Sequence, residues 1–459
     1  MSDALECISP VNGEVFASRR FHTAAQIEDA VARAERAQAG WRRVPLAERA
    51  EICRKAIGVL LADKDRHGHE ITMQMGRPIS QSSREIEGFA IRTGFMIDIA
   101  KDALADEFPR PGSRSFIRRE PLGVVLSIAA WNYPYLIPAG SCVPAIMAGN
   151  AVLLKHSGQT PLVSERLVEA YRAAGLPEGV FQFLHLDHDL TARLIADERI
   201  GHVGFTGSVE GGRAIHAAAA RRFINVGLEL GGKDPAYVCP DADMETTIER
   251  LVDGSFYNAG QSCCSTERIY VHRDVYDDFI ARFVDLTRQY RLGDPTDPAT
   301  NLGPMVRGRA ADFVRGQVER AVSQGARALI DESTFPASRK GSAYLAPQVL
   351  VDVDHSMEIM KEETFGPVVG IMKVASDDAA IDLMNDSIYG LSASVWTRDA
   401  DKVVRLGERI ETGTVMMNGT DKVDPALAWS GVKDTGCGCT LSRHGYEHLT
   451  RTKSFDMSS

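Results

Sequence analysis

The stretch AVLLKHSGQTPLVSERLVEAYRAAGLPEGVFQFLHL, Ala151–Leu186, holds the pattern that decides the architecture. It opens on a short apolar strand, AVLLK, passes through PLVSERLVEAYRAAG with apolar residues at helical spacing, and closes on a second apolar strand, GVFQFLHL. Short unbroken apolar runs are expected of strands covered on both faces, and strand–helix–strand units join parallel neighbours. Outward from this unit, GVVLSIA (Gly123–Ala129) and HVGFTG (His202–Gly207) extend the series. A second alternating set starts near Pro235 with AYVCP, the helix ADMETTIERLVDGSFYNAG and RIYVH. It runs on through YLAPQVLVDV, GPVVGIMKV and SASVWT to GTVMMN. Residues 25–105 precede both sets and read as helix. The expectation is an α/β protein of two domains that meet near residue 231.

Bulk composition narrows the function classes. A chain of 459 residues is too long for one simple core, and 44% hydrophobic with 25% charged residues is an ordinary globular balance. No apolar run approaches about 18 residues, so no membrane span is expected. The opening MSDALECISP lacks a basic start and an apolar stretch, so no signal peptide is expected either. A formal net charge of −10 argues against nucleic acid as a main partner. The eight cysteines are scattered, which favours reduced thiols and a cytoplasmic setting. Adjacent Cys263 and Cys264 and the Cys437-Gly-Cys439 step raise a metal reading, but no second pair stands at zinc-finger spacing, so no metal is expected.

Several residues could carry chemistry. FTGSVEGGRAIHAAAARR runs from a strand through Gly207, Ser208, Gly211 and Gly212 into an alanine-rich helix. It is either a phosphate cradle or a tight strand-to-helix turn, and Arg213-Ala214 excludes a Walker loop. Lys155 ends an apolar strand, where a lysine meets a nucleotide or simply solvent. Asn132 in AAWNYPYLIPAG can stabilise an oxyanion or cap a turn. Glu229 in NVGLELGGKDPAYV is a general base or half of an ion pair. NAGQSCCSTERIY, Asn258–Tyr270, holds two thiols, and a reactive one needs partial exposure that residues alone do not reveal.

In combination and in order, these segments resemble the aldehyde dehydrogenase superfamily. AWNYP matches the family's asparagine motif, LELGGK (Leu228–Lys233) its base motif and GQSC (Gly260–Cys263) its nucleophile motif. EETFGPV (Glu362–Val368) and NDSIYGLSASVWT (Asn385–Thr397) continue the likeness over nearly the whole chain. The resemblance implies two Rossmann-like open-sheet domains plus a small β oligomerisation arm. Residues 1–102 with 122–230 would bind the dinucleotide, 231–444 would be catalytic, and 103–121 with 445–459 would join subunits into a homodimer or homotetramer. The implied activity is oxidation of a small aldehyde to a carboxylic acid with NAD or NADP. Cys263 would be the nucleophile, Asn132 an oxyanion donor and Glu229 the base. The cofactor would be met by Lys155, Ser208, Gly207, Gly212, Trp131, Leu230, Gly231, Glu363 and Phe365, and the substrate tunnel by Tyr133, Gly140, Cys264 and Trp429.

Departures from the family pattern carry expectations too. KHSG replaces the frequent KPSE, so Gly158 stands where a glutamate would repel a 2′-phosphate, and NADP is expected to be accepted. The family's PFGGxKxSGxGRE stands here as LAWSGVKDTGCGCT, lacking its arginine. Relatives acting on succinate semialdehyde carry an arginine eight residues after the motif asparagine; here that position is Gly140. A neutral apolar or aromatic aldehyde is therefore expected, with a small charged semialdehyde as the alternative. A non-redox cysteine acyl-transfer enzyme and a silent structural relative are the remaining readings.

Overall fold

Strand Val124–Ala129 is buried at every position, as befits the middle of a parallel sheet with helices on both faces. The structure, a computed structural model, describes residues 4–457; the outermost residues of the predicted cofactor-binding and oligomerisation segments, 1–3 and 458–459, lie outside them. Across the first sheet the order is Gly436–Cys437, Asn225–Glu229, Ile200–Thr206, Val124–Ala129, Ala151–His156, Phe181–Phe183. All neighbours are parallel except the outermost, Gly436–Cys437, which runs antiparallel to Asn225–Glu229. Successive side chains alternate between faces. Val125, Val152 and Leu154 join the core with Phe89, Tyr135 and Ile146, whereas Leu126 and Leu153 join Val31, Leu194 and Ile195 on the other side. Each such aliphatic side chain contributes about 1.5–3 kcal/mol by leaving water.

The second open sheet runs Arg327–Ala328, Gln348–Val351, Val368–Val374, Thr266–His272, Asp234–Val238, Ser392–Trp396, Thr414–Met417. Only Arg327–Ala328 is antiparallel to its neighbour. Tyr237 and Val395 face one core cluster, and Ala236, Val238 and Trp396 the other. The protein is thus α/β with open sheets.

Local sequence explains where elements stop. The predicted helical region 25–105 is four helices, Ala24–Trp41, Leu46–Ala62, Lys64–Met75 and Ile79–Ala103. Thr23 and Gln26 close a capping box at the first, and Gly76, at φ 89°, ends the third. The strand predicted over 179–186 shrinks to Phe181–Phe183. The helix predicted over 242–260 ends at Phe256, because Asn258, Ala259 and Gly260 adopt φ of 54°, 56° and 67°. Near the carboxyl end, Phe116–Pro121 and Thr450–Phe455 pair antiparallel, and Phe116 stacks on Phe455 with ring centroids 4.5 Å apart. Asn150 ties this tail to the first sheet: its amide oxygen accepts from Leu122 and Gly123, and its Nδ2 donates to the Leu449 carbonyl at 3.0 Å. Ala4–Ile8 and Val15–Arg20 form an antiparallel hairpin that the periodicity did not anticipate.

Candidate active site

Parallel strands deliver their carboxyl ends to one edge, and there the site assembles. In the first sheet the chain goes from Val124–Ala129 to Ala151–His156 on one side, then crosses to Ile200–Thr206 on the other. At this reversal Trp131 and Asn132 lie just past the first strand, and Lys155 at the end of the second. Gly207 and Ser208 follow the third strand, and Glu229, Leu230 and Gly231 lie at the end of the next.

Backbone geometry explains the glycines of two motifs. Gly260 needs its positive φ, and a Cβ there would strike the Gly366 carbonyl. A Cβ on Gly232 would strike the carbonyl of Cys263, and one on Gly231 the carboxylate of Glu363. The paired glycines therefore let the strand end that carries Glu229 lie against the Cys263 backbone and Glu363. Three successive left-handed residues just before this cysteine turn the chain sharply, and the turn is pinned from within. Gln261 Nε2 donates to the Asn258 carbonyl at 3.1 Å, and Gln261 Oε1 accepts from Val306 N–H at 2.8 Å. Asn132 Nδ2 and Asn258 Nδ2 both donate to the Gln261 carbonyl, at 3.2 and 3.1 Å.

A cavity of about 400 Å³ opens here, and Asn132, Glu229 and Cys263 all line it. So do Tyr133, Gly140, Leu230, Cys264 and Trp429. Glu229 receives a hydrogen bond on each oxygen, from Thr440 Oγ1 at 2.5 Å and Thr206 Oγ1 at 3.0 Å. The two thiols differ. Cys263 is half-buried, whereas Cys264 is buried and donates to Asp421 Oδ1 at 3.1 Å. Hydrogen bonding with Cys263, together with burial, holds the Cys264 thiol well above its ordinary pKa.

The remaining sequence-predicted residues do not line this cavity. Lys155 is half-buried at the strand end; burial lowers its pKa, and it makes no hydrogen bond or ion pair among the described residues. Ser208 caps the helix Val209–Ala219 by accepting from Gly211 N–H at 3.1 Å. Cβ atoms on Gly207 and Gly212 would strike Phe205 and Leu230, so these glycines let the helix start pack tightly on the sheet. Trp131 meets Phe365 edge-on at 5.6 Å. Glu363 accepts from Gly232 N–H at 3.0 Å, and burial, with the nearby Glu267 charge, pushes its pKa up to about 8. Glu267 itself is buried with Lys233, at 2.5 Å, and accepts from the Thr364 and Phe365 N–H groups at 2.8 Å each. That network holds the Glu363–Phe365 segment to the base motif.

Sequence reading missed the supports of the site. Arg77, 1% exposed, pairs with buried Glu85 and donates to the Asn132 carbonyl, while Glu85 accepts from Tyr135 and Leu136 N–H groups. This buried pair fixes the loop that carries Asn132, and the Arg77 guanidinium also lies 4.6 Å over the Tyr133 ring. Asp421 gathers Ser262 Oγ at 2.8 Å, Cys264 Sγ at 3.1 Å and Tyr133 OH at 3.2 Å. Burial raises its pKa and these three donors pull it back. The residues flanking Cys263 are thereby tied to the residue after Asn132. A lone Arg between two helices and a lone Asp in a loop give no motif, so no sequence signal marked either. Among the described residues no group of three or more His, Cys, Asp or Glu could hold a metal ion, and no helix is long and apolar enough to cross a membrane.

The family model described as the aldehyde dehydrogenase family matches residues 1–455. The NADP(+) succinate-semialdehyde dehydrogenase 1 of Mycobacterium bovis is 33% identical over 452 residues, 97% of this chain and 98% of that protein. The betaine aldehyde dehydrogenase of Cereibacter sphaeroides is 34% identical over 448 residues, 97% of this chain and 92% of its own. Among solved structures, succinic semialdehyde dehydrogenase from Streptococcus pyogenes in complex with NADP+ superposes with a TM-score of 0.95 at 28% identity, covering 99% of this chain and 100% of that one. The chain belongs to the aldehyde dehydrogenase family. It is a dehydrogenase of aldehydes.

Proposed function

We propose that the protein oxidises an aldehyde to a carboxylic acid with NAD or NADP, releasing the acid by hydrolysis rather than by transfer to a thiol. One observation carries the reading: Cys263, Glu229 and Asn132 line a single cavity, while the neighbouring thiol, Cys264, is tied away to Asp421. Cys263, as thiolate, adds to the aldehyde carbon, and the Asn132 amide with the Cys263 N–H stabilises the oxyanion of the resulting thiohemiacetal. A bound nicotinamide would supply the hydride acceptor for this carbon, and Cys263 would then carry the product as a thioester. Glu229 then takes a proton from water, water adds to the thioester carbon, and the acid departs as the Cys263 sulfur is released. The two threonine hydroxyls keep the Glu229 carboxylate in place during this second half.

The cofactor fits the residues present. A half-buried lysine with no partner among the described residues, near a serine-capped helix start at the sheet's carboxyl edge, offers charge and N–H groups to phosphates and a ribose. Lys155 and Ser208 would hold the adenosine half; Trp131, Leu230, Gly231, Glu363 and Phe365 would frame the nicotinamide half. Gly207 and Gly212 serve by their small size, which keeps the helix start against the sheet. Gly158 offers no carboxylate to repel a 2′-phosphate. The test is a panel of aldehydes against both cofactors, read by absorbance of the reduced form. NADP+ should be used, and an NAD+ preference above about a thousandfold (roughly 4 kcal/mol) would refute that part.

The first sheet with its helices is the cofactor-binding domain in this reading, 1–102 with 122–230, and the second is the catalytic one, 231–444. Strand Gly436–Cys437 crosses that division to cover the edge of the first sheet. Segments 103–121 and 445–459, whose strands Phe116–Pro121 and Thr450–Phe455 pair with each other, form an arm that joins copies into a homodimer or homotetramer. Sedimentation velocity should show no monomer at micromolar concentration, and a monomeric boundary would reject the arm's role.

A further inference from the structure

The cavity beside Cys263 holds a cation that nothing in the proposed chemistry uses. Arg92 sits on the helix Ile79–Ala103 and lines the cavity that contains Cys263 and Glu229. Its Nη1 donates to the Leu136 carbonyl at 3.0 Å, and it forms no ion pair among the described residues. The acids around it are otherwise engaged. Glu85 is paired with Arg77, Glu229 is held by two threonines, and Asp421 takes three donors. Asp253, also on the wall, is pushed toward its neutral form by burial and by the charges of Asp421 and Glu249. Exposed Lys422 adds a second cation to the lining. Leu136, Ile137, Val423 and Trp429 give the same cavity an apolar share of its wall. A guanidinium left unpaired in a partly dry cavity recognises a carboxylate strongly and with directional geometry.

We infer that Arg92 receives a distal carboxylate of the substrate, so that the aldehydes oxidised best carry an anionic end a few carbons from the carbonyl. This rests on the proposed aldehyde oxidation and names its substrate class. Position 140 carries no cation because the cation comes from a different helix. Gly140 leaves room instead: a Cβ there would already lie 3.7 Å from the Thr440 side chain. The apolar wall takes the intervening carbons while the aldehyde reaches Cys263.

The test compares kcat/KM for succinate semialdehyde and for pentanal, a neutral probe of similar length, in the wild type, Arg92→Gln and Arg92→Lys. The glutamine keeps a donor for the Leu136 carbonyl while removing the charge. The wild type should prefer the semialdehyde at least about tenfold, a preference that Arg92→Gln should lower by about tenfold or more through KM. Arg92→Lys should recover part of it. Succinate, which has no aldehyde, should compete with pentanal in the wild type, a readout that needs no variant to fold. A preference for pentanal, an equal loss on both substrates in Arg92→Gln, or no competition by succinate overturns the inference. A wild type that oxidises pentanal without favouring the semialdehyde sinks this inference alone. One that oxidises no aldehyde sinks the proposed activity with it.

Discussion

Replacing Cys263 by Ala should lower aldehyde-dependent reduction of NAD(P)+ by about 10⁴- to 10⁶-fold, the scale on which loss of a covalent nucleophile is felt. The neighbouring thiol cannot stand in. Cys264 is buried, it donates to Asp421, and its pKa is held well above the ordinary value, so little thiolate is available there. Removing one half-buried sulfur leaves only a small void at the cavity wall, so the variant should melt within a few degrees of the wild type. Reduced-cofactor absorbance on adding aldehyde is the measurement, with circular dichroism as the control for folding. If Cys263→Ala kept more than about one per cent of wild-type turnover, the covalent route through this residue would be abandoned.

The second large effect belongs to Glu229→Gln. Glutamine keeps nearly the same shape, and its amide oxygen can still accept from Thr440 or Thr206, but it cannot take a proton from water. Turnover should fall about 10²- to 10⁴-fold while the first half-reaction survives. The signature is kinetic. About one equivalent of reduced cofactor per site should appear in a burst and then nearly stop, with the acyl group left on Cys263. Mass spectrometry of the quenched protein would show the added acyl mass. An equal loss of burst and steady state would place Glu229 in the first half-reaction instead.

How much of this was legible beforehand can be judged from particular residues. The alternation of apolar strands and helices from Gly123 to Asn418 announced parallel sheets, because burial on both faces demands unbroken apolar runs. Resemblance to the family's motifs picked out residues 132, 229 and 263, all of which line one cavity. The helix predicted through Gly260 failed at Phe256 because helical periodicity says nothing of three residues forced into the left-handed region. Arg77, Glu85 and Asp421 stayed unseen, since a buried ion pair or a shared carboxylate is a relation between distant segments.

From its own order of residues this chain determined the alternation of apolar strands and helices that builds two parallel sheets. That outcome follows from periodicity, which acts within a few residues. Only the tertiary structure decided that, of two thiols on one cavity wall, Cys263 is half-buried while Cys264 is buried and donates to Asp421, and that Arg92 enters the same space from a helix far away in sequence. Crossover connections bring together strand ends and helix faces that are remote along the chain. The polarity and the free charge of the cavity therefore depend on packing angles between elements, which no local pattern encodes.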